Sequence, residues 1–178
     1  SQAGDQCPAE HQHLQAREVA PLYAGHEVAI HTVTHPHLER LDAGQIAREV
    51  LDDRRALADL VGYPVRGMAY PCGTYDRRVI DILHSLGIVY ARTIEKRDPC
   101  FPVDEPLAWP TTAHQFDEDL AAKWQDRYAD SWFNGVCFVW GHTYEYNDRN
   151  DWPALERIFK PLAGKSDVWY GKHIDLFD

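Results

Sequence analysis

Basic residues are scarce in this chain of 178 residues: 18 Lys and Arg stand against 28 Asp and Glu, a net charge of −10 with histidine neutral. A balance this acidic argues against a nucleic-acid backbone or an anionic membrane surface as partner. Neutral and amino-bearing substrates stay open. No apolar run reaches the roughly 18 residues that a membrane-spanning helix needs. No signal-peptide pattern is visible, so envelope, secreted and cytoplasmic locations all remain open. The cysteines, Cys7, Cys72, Cys100 and Cys137, are scattered and form no Cys-x-x-Cys pair. Structural thiols are therefore expected, and the redox compartment is not fixed. Internal repeats, low-complexity segments and linkers are lacking as well, which points to a single domain over residues 1–178 with an irregular start over 1–12.

What is present is a globular composition, 44% hydrophobic and 12% aromatic, with six Trp and nine Tyr. Flat aromatic faces suit sugar rings, so Trp109, Trp132 and Trp140 are candidate platforms beside their ordinary role in a core. A helix is expected from His13 to Ala24, stopped at Gly25. Glu27 to Thr32 then reads as a short buried strand. Asp42 and Gln45 form a capping-box pattern opening a helix with Ile46, Val50, Leu57 and Val61 on one face, stopped by Gly62. Val65 to Tyr70 is a second strand. Asp76 caps a helix striped by Val79, Ile82, Leu83 and Leu86, and Ile88 to Ala91 is a third strand. Arg92 to Gln115 reads as a long, proline-bearing loop. Beyond it come a helix over Phe116 to Tyr128, a strand over Val136 to Trp140, a helix capped by Asp151 and stopped by Gly164, and a last short strand over Val168 to Tyr170. Strands alternating with helices predict an α/β fold of parallel strands, either layered or barrel-like. In such folds chemistry gathers at the carboxyl ends of strands. Three segments fall there: His31 to His35, Pro71-Cys72-Gly73 and Gly141-His142.

The organising stretch is His31-Thr32-Val33-Thr34-His35-Pro36. Two imidazoles four residues apart at a strand end can converge on one divalent metal. Thr32 can hold the turn through a backbone hydrogen bond, and Pro36 stiffens it. Cys72 reads as part of a tight turn rather than as a nucleophile, because no base neighbours it in sequence. His142, leaving an apolar strand through a glycine, is a rim candidate, and Glu145 and Asn147 lie close enough to orient it. His114, in the long loop, is a further candidate.

Residues Gly25 to Leu38 resemble the second motif of the polysaccharide deacetylases, the NodB-homology carbohydrate esterases. Ala69 to Asp76 resembles their third motif, Phe138 to Tyr146 a late histidine-bearing motif, and Asp167 to Tyr170 a last strand in one branch. The resemblance spans roughly Leu14 to Tyr170. It implies a distorted (β/α) barrel of fewer than eight strands and an acetylated carbohydrate substrate. It also implies a divalent metal, zinc first and cobalt, nickel or manganese next, with His31 and His35 as its ligands. An activated water would attack an N- or O-acetyl carbonyl. Tyr70, Pro71, Cys72 and Gly73 would line the substrate and oxyanion site, with Trp140 nearby, and the Cys72 N–H would help hold the oxyanion. His142 would protonate the leaving amine or alcohol.

The sequence departs from that pattern. The first motif, a strand ending in Thr-Phe-Asp-Asp-Gly that supplies the third ligand and the base, is missing. Asp52-Asp53 follows the histidine pair and reads as a solvated helix face. The expectation is therefore an incomplete barrel, either shortened at its start or naturally divergent. Asp5, His37, His114 and Glu145 are the substitutes for a third ligand. Ala69 stands where many members have Arg, and Cys72 where an aromatic is common. An incomplete barrel would expose a sheet edge that homo-oligomerisation can cover. Three functional readings follow: a metal-dependent deacetylase, a catalytically impaired carbohydrate-binding relative, and an unrelated barrel-type metal hydrolase.

Overall fold

A computed structural model describes residues 14–97, 101–128 and 135–178. Cys7, Cys100, Asp5, Trp132 and the start over 1–12 lie outside them. The chain divides into two compact units, one formed by residues 1–93, 105–109 and 171–178, the other by 94–104 and 110–170.

In the first unit, α1 (Ala16–Leu22) packs on α2 (Ala43–Val61). The limits of α2 follow from local chemistry. Asp42 accepts the Gln45 N–H at 2.8 Å, and Gln45 returns a bond to the Asp42 N–H at 3.0 Å. Gly62 closes the helix at φ +78°, a left-handed conformation that glycine adopts without Cβ strain. Next comes β1 (Gly67–Ala69). It pairs in parallel with the start of β2 (Tyr90–Lys96), Gly67 beside Tyr90 and Ala69 beside Arg92. Between them runs α3 (Arg77–Ser85), capped by Asp76, which accepts the Val79 N–H at 2.8 Å. The strand expected before the histidine pair reduces to one bridge, Ile30 to Met68. The reason is a partner distant in sequence: the Val28 N–H bonds the Tyr63 hydroxyl at 3.1 Å instead of a neighbouring strand.

Helices and strands bury one core of Ile30, Leu38, Ile46, Val50, Met68, Val79, Leu83 and Ala91. Tyr90 is locked at the edge of this unit. Its hydroxyl donates to Glu27 at 2.7 Å, and its ring stacks on His173 at 3.9 Å and on Phe177 at 5.9 Å. Glu27 also accepts the Ile174 N–H at 2.9 Å, which ties down the 3-10 turn over Ile174–Leu176. A Cβ on Gly67 would lie 2.3 Å from Tyr90 Cζ. Because that ring cannot yield, Gly67→Ala is expected to cost roughly 3 kcal/mol by overpacking. Urea denaturation measures it, and a loss below about 1 kcal/mol would show that the ring moves freely.

The second unit holds most of what reads as a long loop in the sequence. That expectation is corrected: β2 continues to Lys96, a 3-10 turn spans Pro106–Ala108, and β3 (Trp109–Thr111) and β4 (Ala113–His114) follow. Pro106 sits where a turn needs no N–H. The Arg97 N–H bonds the Thr111 carbonyl at 2.9 Å. β4 pairs in parallel with β5 (Val139–Trp140), with His114 beside Trp140. Around them lie α4 (Leu120–Tyr128), α5 (Tyr144–Asp148) and α6 (Pro153–Phe159). Ala113, Leu120, Trp124 and Leu162 form the core of this unit.

The expected cap at Asp151 is in place: its carboxylate takes the Ala154 N–H in the first turn of α6 as well as Arg157 at 2.7 Å. Two further expectations are corrected here. Val168 to Tyr170 forms no strand; the Tyr170 hydroxyl instead closes a turn onto the Leu162 carbonyl at 2.7 Å. Trp109 is fully buried in the first unit, so it is core and not a sugar platform. Parallel strands with intervening helices make this an α/β fold. Among the described residues no helix is long and apolar enough to cross a membrane.

Candidate functional site

Parallel pairing sets Ile30 beside Met68, and Ala69, the last residue of β1, beside Arg92 of β2. The chain after Ile30 turns sharply. Thr32 has φ +68° and His35 φ +55°. A β-branched residue in the left-handed region is an outlier, and such positions cost of order 1–3 kcal/mol each. Side chains hold the turn in this form. The His35 N–H bonds Thr32 Oγ1 at 3.1 Å. Glu49 takes the Thr34 N–H at 2.8 Å and its hydroxyl at 2.7 Å. Asp53 takes the His31 N–H at 2.8 Å and also bonds the Thr32 N–H.

The reading of Asp52-Asp53 as a solvated face is thus half corrected. Asp52 is exposed and pairs with Arg55 at 3.6 Å. Asp53 lies seven residues after Ile46 along the apolar stripe, so it faces inward to the histidine loop. Burial raises its pKa above the usual carboxylate value, with the two backbone N–H groups opposing the shift and Glu49 adding to it. Asp53→Ala strands two backbone donors. It is expected to cost about 1–3 kcal/mol, read as a lowered thermal midpoint; an unchanged midpoint would contradict the pinning role.

The rings of His31 and His35 stand edge to face with centroids 4.8 Å apart. His31 Nδ1 donates to the Ala69 carbonyl at 2.8 Å. That bond puts the hydrogen on Nδ1 and the lone pair on Nε2. Beside them, Pro71–Gly73 forms a 3-10 turn in which Cys72 has φ +56°. Cys72 Sγ lies 3.8 Å from His35 Nδ1. The Tyr70 side chain points into the core, its hydroxyl on the Leu107 carbonyl at 2.6 Å, so only its backbone is left for a site. His37 bonds Thr74 at 3.0 Å, and Thr74 donates to Glu39 at 2.8 Å.

In the second unit β4 and β5 bring His114, Trp140 and His142 together. The His114 and Trp140 rings are 4.7 Å apart. His142 Nδ1 lies 3.3 Å from one Glu145 oxygen, and His114 Nε2 lies 3.4 Å from the other. The candidates therefore fall into two sets: His31, His35 and the 70–73 turn in one unit, and His114, Trp140, His142 and Glu145 in the other. Sequence reasoning missed Asp53 and Gln115. The position of Asp53 within the helix stripe was a usable signal, whereas Gln115 gave none.

The family model for polysaccharide deacetylase matches residues 9–91. Over those residues the chain is similar to the polysaccharide deacetylase family. Solved structures share the fold. A deacetylase from Streptococcus pyogenes, in complex with acetate, is 20% identical, with a TM-score of 0.51 over 57% of this chain and 45% of the other. A CE4 family pseudoenzyme from Bacillus anthracis is 18% identical, with a TM-score of 0.55 over 92% and 50%. A peptidoglycan N-acetylglucosamine deacetylase is 14% identical, with a TM-score of 0.56 over 90% and 66%. The chain thus spans 45% to 66% of the length of these relatives, less than two thirds of each. A search of curated proteins finds no match.

The deacetylase family is generally metal-dependent, and a divalent ion of the zinc type takes about three protein ligands at a catalytic site. His31 fits in ligand type and tautomer, and His35 fits in ligand type and proximity. A third protein ligand is not in place: among the described residues no three His, Cys, Asp or Glu side chains form a group able to hold a metal. Asp53, the nearby carboxylate, is engaged with backbone N–H groups.

Proposed function

We propose that this chain is a metal-dependent deacetylase of N- or O-acetylated carbohydrate, built on a distorted barrel of fewer than eight strands. The observation that carries this reading is the strained histidine loop. Two carboxylates and the Thr32 hydroxyl hold His31 and His35 in a conformation that folding alone does not favour. Strain of this kind persists where it serves a site. A divalent ion, zinc first, would supply Lewis acidity toward the acetyl carbonyl and a nucleophile at neutral pH. His31 and His35 would hold it. The Pro71–Gly73 turn would present the Cys72 N–H to the oxyanion. Within the second unit, the resemblance assigns His142 the role of proton donor and Trp140 that of a sugar-facing ring. The family match over residues 9–91 supports the substrate class.

The test is acetate release from an acetylated chito-oligosaccharide and from an O-acetylated xylan, with added zinc or cobalt and after chelation. Acetate that appears with metal and disappears with chelator is expected. A second reading is favoured by the absence of a three-donor group among the described residues: a carbohydrate-binding relative without hydrolysis. Sugar binding that survives chelation, with no acetate released, would select it. A homo-oligomer in sedimentation would agree with an exposed sheet edge being covered.

A further inference from the structure

Gln115 follows β4 and is only 6% exposed, which is unusual for a glutamine. Its Nε2 donates to Glu145 Oε2 at 2.6 Å and to the His142 carbonyl at 2.7 Å. Both partners only accept, so the amide must meet them nitrogen first. The Gln115 N–H bonds the Trp140 carbonyl at 2.8 Å. The side chain lies against Gly141, where a Cβ would come within 2.2 Å of Gln115 Cδ. One residue thus grips the end of β5, the backbone of His142 and the carboxylate that faces the His142 ring.

Glu145 divides its oxygens. Oε1 lies 3.3 Å from His142 Nδ1. Oε2 takes the Gln115 amide and lies 3.4 Å from His114 Nε2. A carboxylate cannot donate, so His142 Nδ1 carries a hydrogen and Nε2 is left as the atom that exchanges a proton. At His114 the Phe116 N–H reaches Nδ1 at 3.4 Å, which places that ring's hydrogen on Nε2. Burial holds the His114 pKa below the ordinary histidine value; Glu145 and Asp117 oppose the shift, and His142 and Lys96 reinforce it. His114 is therefore neutral near pH 7, and the Glu145 charge serves His142. Tyr144 and Trp140 flank His142 at 5.0 and 6.1 Å and bring no charge.

We propose that Gln115 is a positioning residue for His142: it clamps Glu145 and the His142 carbonyl together and so fixes His142 as the Nδ1–H tautomer. This rests on the deacetylase reading for the use of the proton, though not for the geometry. In that use, protonated His142 gives its Nε2 hydrogen to the leaving nitrogen or oxygen as the bond to the acetyl carbon breaks. It returns to the neutral Nδ1–H form.

The test is nitrogen-15 NMR of the histidine rings across pH in the full chain, run beside the acetate assay. The unaltered chain is expected to show His142 as Nδ1–H. Gln115→Met fills the same slot without a donor and is expected to give mixed tautomers at His142. Where acetate is released, kcat should fall between about tenfold and a hundredfold, with KM little changed. An unaltered chain in the Nε2–H form, or an unchanged tautomer in Gln115→Met, overturns the proposal. Should Gln115→Met not fold, Glu145→Gln decides in its place, because it removes the acceptor-only group; a retained Nδ1–H form there overturns the proposal. A lost tautomer without any acetate release supports the clamp and sinks the deacetylase reading. Acetate release with an unchanged tautomer does the reverse.

Discussion

His31→Ala is expected to abolish zinc-induced stabilisation and to cut acetate release by more than about a hundredfold. Displacing an outer partner of a metal ligand costs roughly 10–100-fold, and removing the ligand itself costs more. The loop offers two imidazole nitrogens, and the His31 ring is oriented by the Ala69 carbonyl at 2.8 Å. A ligand that binds only the folded chain stabilises it by about 2.7 kcal/mol at one hundred times its Kd. With one of the two nitrogens gone, Kd rises beyond the working range and that gain disappears. The backbone N–H of residue 31 still reaches Asp53 in the variant, so the loop keeps its pin and the metal-free midpoint should move little. This separates His31→Ala from Asp53→Ala, which lowers the midpoint with or without metal. Thermal melts with zinc and with chelator read both. Equal zinc shifts in the parent and in His31→Ala would remove His31 from any metal role.

Where the sequence was legible, the reason was local. The ends of α2 follow from the Asp42–Gln45 box and from Gly62, each decided within a few residues. The cap at Asp76 is of the same kind. Where it was not legible, a distant partner had intervened. Tyr63 took the Val28 N–H, so a strand became one bridge. In the second unit, Leu155 and Phe159 are exposed, and α6 buries Ala154. The histidine pair was legible as a motif, but the strain in it was not, because φ at Thr32 and His35 is set by Glu49 and Asp53 from another element. Gln115 was illegible for a related reason. Its role exists only once β4 has paired with β5 and Gly141 has left room for the amide.

Acid is expected to weaken the first unit well above the pH at which carboxylates titrate, and His173 is the cause. Its ring lies flat on Tyr90 at 3.9 Å and edge-on to Trp109 at 4.1 Å. Burial pushes its pKa down to about 3, with Arg92 adding to the shift. The folded value lies below the ordinary histidine value of about 6.5, so the unfolded chain takes up the proton first as pH falls. The contribution is therefore whole above about pH 6.5 and is lost progressively toward pH 3, at up to roughly 1.4 kcal/mol per unit. Between pH 7.5 and pH 5 this predicts a loss of about 2 kcal/mol in urea unfolding. Asp117 and Asp151 have lowered values, so their losses come only in stronger acid. Asp53, with its raised value, acts the other way, because the folded chain takes its proton first. His114 in the second unit is also lowered by burial and works in the same direction as His173. His173→Phe keeps an aromatic face against Tyr90 without a titrating nitrogen. It should flatten most of the slope between pH 7.5 and pH 5, leaving the smaller share of His114. An equally steep slope in His173→Phe would move the origin of the acid sensitivity elsewhere.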